Sequence, residues 1–383
     1  MPLTKTATIT EYFTGVEDPR IDRTKDHELL DIIVIAICAV ICGADGWTAV
    51  EKFGKAKQEW FETFLELPNG IPSHDTFGRV FARIDPEQFQ LGFLLWIQAA
   101  QGLTDGQVIA VDGKCLRRSY DTWHSKAAIH MVSAWATENK LVLGQRKVDD
   151  KSNEITAIPA LLELLEISGC IITIDAMGCQ KDIAAQIVEQ DADYVLALKN
   201  NQPHLHEDVT NLFEWADNVA FEEIHSDTYH EVNKGHGRVE IRECWTISDP
   251  ACLAMIADHT AWSGLQTFIR IRAERQIGDE STTKTRYYIS SLSPDTPHLA
   301  RTALNAVRSH WEIENEVHWV LDVAFREDDC RIRQGHAAEN MAVLRHIALN
   351  LLKHETSKSV GIKNRRLIAG WDNSYLEKVL SAI

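Results

Sequence analysis

The chain has 383 residues, with 39 Lys+Arg against 56 Asp+Glu, a formal charge of −17. Apolar and charged fractions of 45% and 25% exclude a disordered chain, and the length suffices for one large core or several smaller ones. The acidic balance excludes a protein whose whole surface attracts phosphate backbones.

Met1 leads into Pro-Leu-Thr-Lys with no apolar signal core, so export is not expected. The longest apolar run, IIVIAICAVICGA between Asp31 and Asp45, falls short of the ~20 residues a membrane span requires and reads as a buried helix. The eight cysteines form no Cys-x-x-Cys pair, and several sit in apolar runs as reduced thiols do, which predicts a cytoplasmic chain without zinc. Residues 1–101 read as a helical domain. Helices are expected over 28–42, 47–65, 75–84 (capped from Ser73-His74-Asp75-Thr76) and 85–101.

From Gly102 the pattern becomes α/β. Strands are expected at 107–113, 128–137 and 141–148, then a helix at 156–167, a strand at 170–178, a helix at 180–190 and a strand at 193–199. Three strands followed by helix–strand–helix–strand describe a mixed five-stranded α/β core in ribonuclease H-like order. Residues 201–292 interrupt it with one helix (204–215) and three alternating strands (239–247, 267–275 and 283–292), which read as an inserted β subdomain. Long helices follow over 297–322 and 337–353. Trp311 and Trp319, eight apart, are expected to pack their helix rather than stack on bases. Charge is uneven along the chain. Residues 201–300 hold 8 basic and 16 acidic side chains, whereas 301–383 hold 12 and 11, so phosphate contacts are expected near Arg331/Arg333 and Lys363/Arg365/Arg366.

Asp112 and Asp175 each close a short apolar strand, and Glu314 lies on the helix face shared by His310 and His318. A carboxylate beside such a run is costly to desolvate unless paired or bound to a cation. Two readings stand at this point. Either residue singly is a turn former or helix cap, or the three together hold two hard divalent ions that support phosphodiester chemistry.

The segments VDGKCLRRS (111–119), TIDAMGCQKDIAAQI (173–187), YVLALKNNQ (194–202), HGRVEIR (236–242), RYYISSL (286–292) and RSHWEIENEVHWVLDVAFREDDCRIR (308–333) resemble the DDE-type transposases of bacterial insertion sequences. The likeness is strongest to the H-repeat-associated (As-type insertion-sequence) family. DPR (18–20), ADGW (44–47) and LPNGIPSHDTFGRVF (67–81) resemble that family's associated N-terminal domain, so the likeness covers nearly the whole chain. It implies a ribonuclease H-like catalytic domain over 102–383, interrupted by a β-rich insertion at about 201–292, behind a helical domain at 1–101. It further implies a DDE triad of Asp112, Asp175 and Glu314, a requirement for Mg²⁺ with Mn²⁺ as substitute, and DNA cleavage followed by 3′-OH strand transfer. Asp112 then bridges two ions, while Asp175 and Glu314 hold one each.

The implied partners are the element's terminal repeats and target DNA, on which a homodimer or larger assembly forms, in a nucleoid-associated chain. Lys114, Arg117, Arg118, Lys199, His236, Arg238, His310, His318, Arg331 and Arg333 are candidate DNA contacts. One departure stands out. The wider superfamily's Tyr-x-x-Arg-x-x-x-Glu-x-x-x-x-x-x-Lys slots hold Val307, His310, Glu314 and Leu321, of which the leucine cannot contact a phosphate. The competing readings are a catalytically silent or domesticated DNA-binding remnant and a nuclease that does not transpose.

Overall fold

The structure is a computed structural model that describes residues 6–100, 105–120, 128–148, 153–235 and 237–383. Its centre is one nine-stranded mixed sheet in the order β3-β2-β1-β4-β5-β9-β8-β7-β6. The first five strands are β1 (Val108–Leu116), β2 (Ile129–Ala136), β3 (Leu141–Lys147), β4 (Ile171–Ile174) and β5 (Asp193–Leu198). β1, β4 and β5 run parallel, whereas β2 and β3 add antiparallel beside β1. Lys140, in the left-handed region at φ 53°, turns the β2–β3 hairpin between the two expected strands.

The insertion departs from its expected form. Its strands β6 (Ser226–Gly235), β7 (Arg238–Ile247), β8 (Thr267–Ile277) and β9 (Glu280–Ser290) extend the same sheet, because β9 pairs antiparallel with β5. β6 escapes sequence reading: it is a polar edge strand whose outer residues remain exposed, so it lacks the apolar alternation that marks its neighbours.

Two layers cover the sheet. On one face a large core joins β1–β5 to helices Pro86–Ala100, Glu154–Leu162 and Lys181–Glu189, and to the largely buried Ala337–His354 helix. The Leu29–Ile41 helix, apolar on every side, packs against that last helix and is buried accordingly. Asn340 donates to Phe81 O and Ile84 O, tying helix His74–Phe81 into the same core. Ser73 caps that helix as expected, accepting from Thr76 N. The expected 47–65 helix breaks at Lys57 into Trp47–Ala56 and Gln58–Phe61.

On the opposite face a smaller core lies under the Leu299–Glu312 helix. Val108, Ile171, Val195, Ile269 and Tyr288 from the sheet meet Leu299, Ala303, Leu304 and Val307. Those strand positions share a face because side chains alternate along each strand. The helix then loosens into a π-helical turn, Ile313–His318, before resuming as Trp319–Phe325. No described helix is long and apolar enough to cross a membrane, and all eight cysteines are unpaired.

Candidate active site

β1 and β4 lie side by side in parallel with Val111 opposite Ile174, so Asp112 and Asp175 emerge at the same level. Asp175 directly follows β4, whereas Asp112, expected to close its strand, lies midway along β1, which continues to Leu116 by pairing with β2. The carboxyl ends of parallel strands are where α/β sheets open to ligands. The π-helical turn passes this end and carries Glu314 towards β1. One extra residue per turn re-aims side chains at such bulges, which recur at functional sites. Asp112, Asp175 and Glu314 all line one cleft of about 450 Å³, together with Thr173, Lys199 and His310.

The environments of the three carboxylates differ. Burial pushes the Asp112 carboxyl up to about 7; repulsion from Glu314, Asp175 and Glu154 adds to this, and a hydrogen bond from the Gly113 backbone opposes it. Asp175 caps the short 3-10 turn Ala176–Gly178, its Oδ1 accepting from Met177 N and Gly178 N. The capping and cleft-lining readings of Asp175 are therefore compatible, since its other oxygen is unengaged among the described residues. Glu314 is exposed on the cleft rim.

His318, on the same π turn, is buried with Nδ1 3.5 Å from Asp112 Oδ2 and 4.0 Å from Glu314 Oε2. Burial, reinforced by the Lys114 charge, holds its imidazole down at about 3, so it is neutral. Asp112, Glu314 and His318 can each offer one ligand atom within 4.8 Å of the others. Such an oxygen-rich set around a carboxyl short of positive charge fits a divalent cation. His310 is also held neutral by burial, and its Nδ1 lies 3.2 Å from Thr173 Oγ1.

The other expected contacts divide three ways. Lys199 and His310 line the carboxylate cleft, and Arg238 lines a neighbouring one. Arg117 and Arg118 are exposed and face Asp328 and Asp329 at 3.3 and 3.5 Å. Arg331 is exposed, whereas Arg333 donates to Arg118 O and stacks over Tyr120. His236 lies outside the described residues.

Lys114 is corrected. Expected as a phosphate contact, it is half-buried and spends its ammonium on Asp322, Glu327 and the His318 carbonyl. Arg366 of the C-terminal basic cluster is internal, donating to Val40 O and Ala324 O. Trp311 and Trp319 also depart from expectation, being 48% and 62% exposed, and Trp311 lines the carboxylate cleft.

Sequence reasoning missed Lys284 and Arg286, which line the carboxylate cleft from β9. The signal was present: Lys284, Arg286 and Tyr288 alternate along TKTRYYISSL and so share one face. It also missed Glu154, whose Oε1 accepts from or faces His130 Nε2 at 2.9 Å and whose charge reaches Asp112.

Comparison with known proteins gives the family of the chain. The Transposase DDE domain family matches residues 102–351, and the DDE_Tnp_1-associated family matches residues 10–97. The chain is 41% identical to "H repeat-associated putative transposase YhhI" of Escherichia coli (strain K12), covering 97% of each chain. It is 40% identical to "Putative transposase YncI" of Escherichia coli O157:H7, covering 97% of this chain and 94% of that one. A piggyBac transposase synaptic complex with hairpin DNA aligns at TM-score 0.42 and 11% identity, covering 98% of this chain and 77% of that one. With a family match over the sheet and its helices, and relatives at this identity over nearly full length, the chain belongs to the DDE transposases, enzymes of DNA cleavage and transfer.

Proposed function

We propose that this protein cleaves DNA at the ends of an insertion-sequence element and joins the freed 3′-OH to target DNA, with Asp112, Asp175 and Glu314 as its catalytic carboxylates. The observation that carries this reading is their convergence on one cleft, where the half-buried Asp112 feels the charge of the other two and has its carboxyl at about 7. Divalent ions, Mg²⁺ or Mn²⁺ in its place, supply charge neutralisation at the reacting phosphate and activation of water or the 3′-OH. The three carboxylates would hold these ions. His318 turns a neutral ring towards Asp112 and Glu314, so it offers a lone pair rather than competing as a cation. Lys199 adds positive charge to the lining of the same cleft, where it would draw in a phosphate.

On this reading β3-β2-β1-β4-β5 is a ribonuclease H-like core, residues 1–101 form the associated helical domain, and 102–383 form the catalytic domain with its insertion at about 201–292. The partners are terminal-repeat and target DNA, engaged by an oligomer in the cytoplasm at the nucleoid.

The test is a strand-cleavage and joining assay on the element's own terminal repeats in Mg²⁺ or Mn²⁺. Cleaved and joined products that vanish with Asp112→Asn, Asp175→Asn or Glu314→Gln are expected. Binding without cleavage in Mn²⁺ identifies a silent remnant, and hydrolysis without joining identifies a nuclease. Activity surviving any of the three substitutions overturns the assignment.

A further inference from the structure

The insertion is the most acidic stretch of the chain, yet its cations are not scattered. Of the 8 basic residues between 201 and 300, Arg238, Arg242, Arg275, Lys284 and Arg286 line one groove. The strand registers explain this. Arg242 pairs with Ala273 and Ala273 with Lys284; Glu240 pairs with Arg275; Ile271 pairs with Arg286. These positions fall on one face of the β7–β8–β9 ribbon, the face that further in supplies Tyr288 and Ile271 to the core beneath the Leu299–Glu312 helix. The outer halves of the strands run past that helix, whose Arg308 lines the opposite wall.

The groove is large, about 880 Å³, and positive on balance, with six cations against Glu240, Glu274 and Glu312. Its acids are not equally available. Glu240 is held by Arg238 and Arg242, and Glu274 accepts from Gln276 and Ser281. Arg275, Lys284 and Arg286 have no carboxylate at ion-pair distance among the described residues. Arg275 and Lys284 are exposed, whereas Arg286 is half-buried with its guanidinium 5.1 Å from the centre of the Trp311 ring.

The groove also runs into the carboxylate cleft. Lys284, Arg286, Tyr288, Val307 and Trp311 line both. A polyanion lying along the ribbon therefore reaches Asp112 and Glu314 without crossing a barrier of acidic surface.

We propose that this groove binds the phosphate backbone of duplex DNA and guides it into the carboxylate cleft, with Arg275 and Lys284 contacting phosphates along the ribbon and Arg286, braced on Trp311, at the junction. This rests on the cleft being the site of DNA chemistry, but the contacts themselves are electrostatic and independent of sequence. The insertion's net negative charge does not oppose them, because a phosphate at a few ångströms responds to the face it touches; more distant charge is screened within about 10 Å at 0.1 M salt.

The test measures binding of a fluorescein-labelled 40-base-pair duplex by anisotropy in EDTA across a KCl series, so that neither metal nor cleavage enters. The full chain is compared with Arg275→Glu/Lys284→Glu and with Lys358→Glu/Lys378→Glu, an equal charge change on exposed C-terminal lysines outside the expected phosphate contacts. We expect the groove variant to bind at least about tenfold more weakly at 0.1 M KCl, with the salt slope reduced by nearly 2, since each lost phosphate contact removes about 0.9. The C-terminal variant retains wild-type affinity within about twofold and keeps its slope. An unchanged affinity and slope in the groove variant overturns the proposal, as does an equal loss in both variants or the absence of duplex binding by wild type. Asp112→Asn, run in parallel, separates this from the catalytic assignment. Groove-dependent binding with cleavage insensitive to Asp112 leaves the groove standing and removes the triad; the opposite pattern removes only the groove.

Discussion

Lys114 Nζ lies 2.5 Å from Asp322 Oδ1, which fastens strand β1 to the helix that continues from the Glu314 turn. The same ammonium reaches Glu327 Oε2 at 2.9 Å, and Glu327 faces Arg345 at 3.4 Å in the interior. Burial works against the Lys114 charge, but Glu327 and Asp322 outweigh it and raise its pKa. A lysine two residues from Asp112 thus fixes the distance between the two elements that carry Asp112 and Glu314.

Lys114→Met should therefore be strongly destabilising, because it leaves Glu327 buried with one cation fewer. Loss of one partner from a buried ion pair costs about 3–5 kcal/mol. Urea unfolding followed by circular dichroism measures this. A cost below about 1 kcal/mol would show that the network contributes little to stability.

Replacing any one of the three carboxylates should depress DNA cleavage by at least about 1000-fold, equivalent to about 4 kcal/mol in the barrier. Duplex binding in EDTA should be retained, since it does not involve these groups. Single-turnover cleavage and anisotropy on the same preparations measure the two quantities separately.

The Asp112 carboxyl predicts a pH signature in the metal-free protein. Its folded pKa of about 7 exceeds the ordinary 3.8, so between these values the folded state holds a proton that the unfolded state has lost. Stability contributed by this group therefore falls as pH rises from about 4 to 7. The difference of roughly three units is worth at most about 4 kcal/mol. His318 and His346, held at about 3 and 4 by burial, act oppositely: their contribution falls as pH drops below 6.5. Subtracting the pH profile of Asp112→Asn from that of wild type isolates the carboxyl. The substitution should stabilise the metal-free chain at pH 8 and have little effect at pH 4, and Mg²⁺ should stabilise wild type more than the variant at pH 8. A difference profile that is flat from pH 4 to 8 would refute this.

Gly113 is marked by close approach rather than by backbone angle. A Cβ at this position would meet Glu154 Oε1 at 2.0 Å, on the sheet face opposite Asp112. Gly113→Ala must move the Glu154 carboxylate away from His130, and because that is the far end of a flexible side chain the cost is expected at the low end of overpacking, about 1 kcal/mol. Gly15→Ala, where a Cβ meets nothing within 4 Å, is the matched control in thermal unfolding.

The regular elements were largely legible from pattern. Helix 29–41, the capped helix at 74–81 and strands β1 to β5 follow from apolar periodicity and from side chains such as Ser73 that end them. Elements held by partners rather than by their own pattern were not. β6 forms because β7 supplies its backbone hydrogen bonds, and the helices Ile362–Trp371 and Asn373–Leu380 form against the core through Arg366, Tyr375 and Leu376. The π turn at 313–318 is indistinguishable from α-helix in sequence, since both bury Ile313 and Val317.

For the site, Asp112 was expected to end its strand but lies midway along β1; what the sequence by itself determined is that Asp175 ends a strand and that Glu314 shares a helix with two histidines. Those are local facts, fixed by spacing along one element. Only the tertiary structure decided that Asp112, Asp175 and Glu314 line a common cleft, that Lys114 is spent on Asp322, and that the cations of an acidic insertion gather beside them. The physical reason is that charge acts through space. Strand pairing places Lys284 and Arg286 next to β5 and its cleft, while net charge sums over residues whatever face they occupy.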